Sequence, residues 1–211
     1  MAWRVLLRRC PTRSMTLVGD VAQTGSAAGA TSWAQVLTPH LGSSWRLEEL
    51  TVNYRTPAEI MAVADQVLAA GGTGGTAAQA VRSTGIEPWS QRVTVDELPH
   101  AVGEAAAEFD KEDGTLAVVV PGTRLDAVTE AVAARLPGIS DDLTAGVAVL
   151  TATGAKGLEF DSVVVVDPAG IVAEGVRGHN DLYVALTRAT QRLGVVHPGD
   201  LPAMLSGLTP R

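Results

Sequence analysis

Ser162 is followed by four consecutive valines, Val163 to Val166, and no polar residue interrupts that run. A strand with one face in water alternates apolar and polar residues, whereas a strand buried on both faces reads as a continuous apolar run. Residues 116–120, 147–150 and 193–196 are runs of the same kind. Between the first two of these, Leu125, Val128, Val132 and Leu136 recur at helical spacing. Buried strands alternating with amphipathic helices point to an α/β fold, a parallel sheet covered by helices on both faces. Ligands of such sheets sit beyond the carboxyl ends of the strands. Polar clusters beside these strands are therefore the places to look for chemistry.

The other predicted elements are shorter. Trp3, Leu6, Leu7 and Cys10 share one face of an amphipathic helix that Pro11 closes. Residues 15–18 read as a short strand ending at Gly19-Asp20, 23–29 as a small-residue loop, 32–41 as a helix and 49–52 as an extended piece. Thr56-Pro57-Ala58-Glu59 has the form of a capping box with proline at the first helical position. The helix it opens has Ile60, Ala64, Val67 and Leu68 as its buried stripe. The glycines of 71–75 end that helix and begin a flexible loop or linker reaching to about Pro88. Residues 92–95 read as a strand, 101–109 as a helix, 110–114 as a charged turn, and 181–192 as a helix leading into the strand 193–196.

Composition excludes several classes. A chain of 211 residues fits one domain, or one domain with part of another. Aromatics are only 4% of it, so aliphatic side chains must fill the core. A net charge of −7 gives no general electrostatic footprint for nucleic acid, although it leaves room for a local basic groove. The single cysteine, Cys10, excludes an internal disulfide and suits a reducing cytosol, so a cytoplasmic location is expected. No apolar run approaches the ~18 residues of a membrane span. His40, His100, His179 and His197 have no carboxylate or cysteine at ligand spacing, so no metal site is expected.

Four polar clusters remain. In Val18-Gly-Asp-Val-Ala-Gln23, Gly19 lets the chain turn close to a phosphate, and Asp20 or Gln23 can hold a metal-bound water or meet a γ-phosphate. Read alone, the same residues also make an ordinary strand-ending turn. Arg55 precedes the helix opened at Thr56, where a guanidinium can serve a transferring phosphoryl group or simply form a surface salt bridge. In Lys156-Gly157-Leu158-Glu159-Phe160, lysine and glycine suit a phosphate-facing turn, and Glu159 can accept from a ribose hydroxyl. Arg188 falls off the stripe Leu182, Leu186, Ala189 and Leu193 of the predicted last helix, the ordinary place for a solvated arginine.

Taken together and in order, these clusters closely resemble the later motifs of superfamily 1 helicases of the UvrD/Rep type. Residues 18–23 resemble motif III, Asn53-Tyr-Arg-Thr-Pro57 motif IV, 153–160 motif V and 183–189, with Thr-Arg-Ala, motif VI. The resemblance implies the second RecA-like domain of a P-loop NTPase (residues 41–211), preceded by the tail of the first (residues 1–40). It implies that Gln23 senses the γ-phosphate, with Asp20 in the same coupling loop, and that Arg55 and Arg188 are arginine fingers. Glu159 would contact the nucleotide sugar, Gly157 would allow close approach, and Lys156 and Tyr54 would line the nucleotide. ATP and Mg²⁺ would be held mainly by an N-terminal RecA-like domain of the same intact protein.

Two departures shape the expectation. No Gly-x-x-x-x-Gly-Lys-Ser/Thr and no Asp-Glu-Ala-Gln-like metal box occur in these 211 residues. This chain alone is therefore expected to be inactive as an ATPase and to be a fragment. Motif III continues into Thr24-Gly-Ser-Ala-Ala-Gly-Ala30, without the aromatics on which bases stack at about 1–3 kcal/mol each. The spacing between motifs IV and V is also too short for a large inserted domain. The pattern is most similar to the HelD-like, RNA-polymerase-associated ATPases of actinobacteria. That similarity implies RNA polymerase as the partner. A DNA helicase or translocase acting on single-stranded DNA, or a non-enzymatic module, are the alternatives.

Overall fold

The computed structural model describes residues 2–24, 29–30, 32–72, 78–111, 114–136 and 146–211. In chain order it forms α1 (Ala2–Arg9), a 3-10 turn (Val21–Gln23), α2 (Trp33–Leu41), β1 (Val52–Asn53), α3 (Ala58–Ala70), β2 (Gln79–Ala80), β3 (Trp89–Arg92) and α4 (Leu98–Phe109). Then follow β4 (Leu116–Val120), α5 (Leu125–Arg135), β5 (Val147–Thr151), β6 (Phe160–Val166), α6 (Pro168–Ala173), α7 (Gly178–Leu186), β7 (Ala189–His197) and β8 (Thr209–Pro210). Six strands make one sheet in the order β5-β4-β6-β7-β3-β8, and every pairing in it is parallel. β1 and β2 form a separate parallel pair.

The unbroken apolar runs turn out to be two alternating sets serving two cores. Leu116, Val118 and Val120 of β4 join Val164, Val166 and Val196 against Leu98, Val102 and Phe109 of α4 and Val128 and Val132 of α5. Ala117 and Val119 join Val163, Val165, Leu193 and Val195 against Ile60, Val63 and Val67 of α3 and Leu182 and Leu186 of α7. Helices thus cover both faces, and the expected parallel α/β sheet is present. Where β3 and β7 pair, Gly194 makes room for the Trp89 ring, which meets Phe109 edge-on at 5.8 Å.

The structure corrects several local expectations. The last helix ends at Leu186, and residues 189–192 belong to β7. Ladder pairing decides this: Phe160 pairs with Ala189 and Ser162 with Arg192, and the Phe160 amide donates to Arg188 O at 3.0 Å. The capping box does not close. Pro57 is the N-cap, without a side-chain bond, and the Thr56 hydroxyl is buried with no hydrogen bond. Glu59 instead accepts from Ser83 Oγ at 2.5 Å, Gly85 N at 2.8 Å and Thr84 N at 3.4 Å, pinning that loop to the start of α3.

Residues 15–18 form no ladder with any described residue. The strand expected at 92–95 lies at Trp89–Arg92, and the loop expected up to Pro88 contains β2. Parts of the expected small-residue loop, glycine-rich stretch and charged turn, at 25–28, 73–77 and 112–113, lie outside the described residues.

Candidate functional site

The site forms where four separate stretches of chain meet. From the carboxyl end of β5 the chain returns through residues 152–158 to the amino end of β6. Turn bonds shape this crossover, from Ala155 N to Thr151 O at 2.9 Å and from Leu158 N to Ala155 O at 3.1 Å. Ala152 and Ala155 face the core, leaving Thr153, Gly154, Lys156, Gly157 and Glu159 exposed. Because Phe160 pairs with Ala189, the preceding residues Glu159 and Arg188 are neighbours at the amino ends of β6 and β7. The expectation that the site lies beyond strand carboxyl ends is corrected for both. The short crossover carries Glu159 to the opposite edge of the sheet.

Arg55 reaches the same place from the β1–α3 loop. The Asn53 side chain fixes it by accepting from Arg55 N at 2.9 Å and Thr56 N at 3.1 Å. Its Nη1 lies 2.6 Å from Glu159 Oε1, and its Nη2 donates to Thr187 O at 3.5 Å. Arg55 Nε is buried and makes no hydrogen bond among the described residues.

Arg188 is not the solvated helical arginine that its sequence position suggested. It follows α7, is 2% exposed, and donates from Nε to Val184 O at 3.1 Å and from Nη1 to Leu158 O at 3.0 Å. Its Nη2 lies 3.3 Å from Thr187 Oγ1. Burial, and then the positive charge of Arg55, lower its pKa; Glu159, Tyr183 and Asp20 act in the opposite sense. These causes place Arg55, Arg188, Glu159, Tyr183 and Asp20 within one electrostatic neighbourhood.

Asp20 caps the 3-10 turn through Ala22 N at 2.8 Å and accepts from Gln23 Nε2 at 3.0 Å, so the two expected loop residues bind each other. Asn180 Nδ2 donates to Thr24 O at 3.3 Å, and Arg177 donates to the carbonyls of Gly29 and Ala30. The 20–30 segment is thereby tied to the amino half of α7. Tyr183 is pushed up to about 12, first by burial and then by the negative charges of Asp20 and Asp65. Asp65 on α3 is itself raised by burial, and its Oδ1 is buried without a hydrogen bond.

The remaining expected residues do not converge. Lys156 is exposed, and its charge acts on Asp181 of α7. Tyr54 is 74% exposed. Gly157 has φ +82°, and nothing lies within 4 Å of where a Cβ would stand, so a bound group can come close to its backbone. Asn180, Arg177 and Thr187 were missed in the sequence: nothing in their spacing distinguishes a polar residue that faces a neighbouring loop from one that faces water. Trp33 was also missed. Its ring packs at 3.2 Å from the Cβ position of Gly19, so this tryptophan braces the strand-like segment before Asp20. Among the described residues, no group of three or more His, Cys, Asp or Glu is placed to hold a metal ion.

Residues 146–196 match the family of the UvrD-like helicase C-terminal domain. That segment contains Gly157, Glu159, Asn180 and Arg188, and leaves out Gln23 and Arg55. No curated protein matches the chain. Among solved structures, the C-terminal domain of a possible DNA helicase from Lactobacillus plantarum WCFS1 is similar at TM-score 0.59 and 23% identity, covering 75% of this chain and 99% of that one. This likeness is one of fold. The arterivirus nonstructural protein 10 helicase, solved with DNA, matches at TM-score 0.41 and 12% identity over 59% of this chain and 34% of that one. No helix among the described residues is long and apolar enough to cross a membrane.

Proposed function

We propose that this chain is the second motor domain of an ATP-driven, UvrD-like motor, completing an ATP site whose phosphate-binding half is a first RecA-like domain. One observation carries the reading. Residues from the segment at 20–23, the β1–α3 loop, the crossover before β6 and the end of α7 converge, and they are Asp20, Gln23, Arg55, Glu159 and Arg188. Two guanidinium groups of like charge brought together fit a polyanionic ligand. The orphaned Arg55 Nε fits the same ligand. We also assign residues 1–40 to the tail of the first domain, which agrees with the lack of a ladder partner for 15–18 among the described residues.

In this reading Arg55 stabilises charge on the terminal phosphate, and Glu159 accepts from the sugar beside the open Gly157 turn. Gln23, steered by Asp20, reports the terminal phosphate to α7 through the Thr24–Asn180 contact. Arg188 acts from behind, fixing the backbone before Glu159 and adding positive potential. Mg²⁺ would be held by the first domain, since no described residue cluster here offers a ligand set. Without that domain this chain has no residues to cradle the β- and γ-phosphates, and it is inactive alone.

RNA polymerase is our proposed target, in the manner of HelD-like ATPases, because the loop after Gln23 lacks stacking aromatics and Trp33 packs on Gly19. The names of the similar proteins favour single-stranded DNA as the second reading. Steady-state ATP hydrolysis by the full-length protein, with added single-stranded DNA or added RNA polymerase, separates the two. Stimulation by DNA alone would replace polymerase as the target. No hydrolysis under any condition would remove the motor reading.

A further inference from the structure

We infer that the Arg55–Glu159 ion pair is a latch that makes a ribose hydroxyl on the nucleotide the condition for Arg55 to reach phosphate. Glu159 is thereby a specificity-determining residue. The inference rests on the motor reading above and adds to it a coupling between sugar recognition and finger release.

The pair is built to part. Arg55 Nη1 and Glu159 Oε1 lie at 2.6 Å, yet their side chains are 37% and 50% exposed. Ion pairs this exposed are worth about 0–1 kcal/mol, so an incoming group can displace one partner. Each partner also stands on a fixed base. Asn53 holds the backbone at Arg55, and Arg188 holds the carbonyl of Leu158 directly before Glu159. Motion is therefore left to the two side chains.

Glu159 has acceptor capacity for one strong donor at this position, and Arg55 occupies it. A ribose hydroxyl supplies a replacement donor, so the guanidinium can leave without stranding the carboxylate. A nucleotide lacking those hydroxyls offers no replacement. In a cleft closed to water, an uncompensated carboxylate is costly, and Arg55 stays paired. The Arg188 charge behind the pair favours departure of Arg55 once Glu159 has another donor.

The test compares ATP with 2′,3′-dideoxy-ATP in the full-length protein, as wild type, Glu159→Gln and Arg55→Ala. The wild type should turn over ATP about fivefold faster in kcat, the scale of a half-exposed ion pair. Glu159→Gln, which frees Arg55 permanently, should raise kcat for the dideoxy nucleotide to its ATP value. Arg55→Ala should abolish the difference in kcat between the two nucleotides. A gain of turnover on removing Glu159 is not what a sugar-binding contact alone would produce. An unchanged or lowered kcat for the dideoxy nucleotide in Glu159→Gln, or discrimination confined to KM, overturns the latch and leaves the motor reading standing. Absence of hydrolysis of either nucleotide by the wild type overturns both.

Discussion

Arg188 Nη1 donates to the main-chain carbonyl of Leu158 at 3.0 Å, so the side chain that follows α7 holds the backbone that precedes Glu159. A buried guanidinium that satisfies carbonyls is part of the fold as well as part of the site. Arg188→Ala strands Val184 O and Leu158 O, at about 1–3 kcal/mol for each unsatisfied group. Arg55→Ala removes only a half-exposed pair, worth up to about 1 kcal/mol. Urea denaturation should show a clearly lowered midpoint for Arg188→Ala and a near-native one for Arg55→Ala. Equal midpoints would contradict the buried placement of Arg188. For hydrolysis, Arg55→Ala is consequently the cleaner variant, with kcat expected to fall about 10³-fold or more if it is a finger.

Glu59 gives a prediction in pH. Its carboxyl is held down from 4.5 to about 2, first by the Ser83 hydroxyl and also by its own amide and those of Gly85 and Thr84. A carboxylate with a depressed folded pKa stabilises the protein above the unfolded value, because the unfolded chain takes up the proton first. That contribution is fully present above about 4.5 and is lost as pH falls toward about 2. Wild type should therefore exceed Glu59→Gln in thermal midpoint at neutral pH, with the gap closing across that window. A gap that persists below it would mean the loop at 83–85 is held by something other than the charge.

Two glycines should respond differently to alanine. At Gly194 a Cβ would sit 2.3 Å from the Trp89 ring, which is itself packed on Phe109. Overpacking of that kind costs about 1–3 kcal/mol. At Gly157 nothing lies within 4 Å, and only the φ of +82° opposes a side chain, at about 1–3 kcal/mol of strain. Trp fluorescence should change in Gly194→Ala and stay native in Gly157→Ala, while both lose stability. An unaltered emission spectrum in Gly194→Ala would mean that the ring relaxes without leaving its pocket.

The sheet was legible because its signal is local. Leu116–Val120 and Val163 to Val166 are apolar without interruption, and no helix of the observed lengths would place every one of those residues out of water. The start of β7 was not legible. Thr187-Arg-Ala-Thr-Gln-Arg192 continues a plausible helical pattern, and only the ladder to Phe160 and Ser162 draws it into the sheet. For the same reason Arg188 was expected in solvent. Arg55 and Glu159 were each visible as polar residues at element boundaries, but their meeting spans 104 residues and is a property of topology alone. The capping box failed through competition: Ser83, Thr84 and Gly85 offer Glu59 more donors than the Thr56 amide does.

The contact between Asn180 and the 20–24 turn gives the last prediction. Asn180 is 3% exposed, and its amide donates to Thr24 O from the first turn of α7. The turn has few bonds of its own: Gln23 N to Asp20 O at 3.4 Å and Thr24 N to Val21 O at 3.2 Å, both long. Its order thus depends on α7. Loss of one neutral hydrogen bond is worth about 1 kcal/mol, or about fivefold in a local opening equilibrium. Asn180→Ala should raise amide exchange at residues 21–24 by about that factor and leave β4 and β6 at their wild-type rates. Exchange that rises equally in the strands would show that Asn180 supports the whole domain. Exchange that rises only in the turn would show that α7, which ends beside Arg188, also sets the position of Asp20 and Gln23. Sensor loop and arginine would then move as the two ends of one helix.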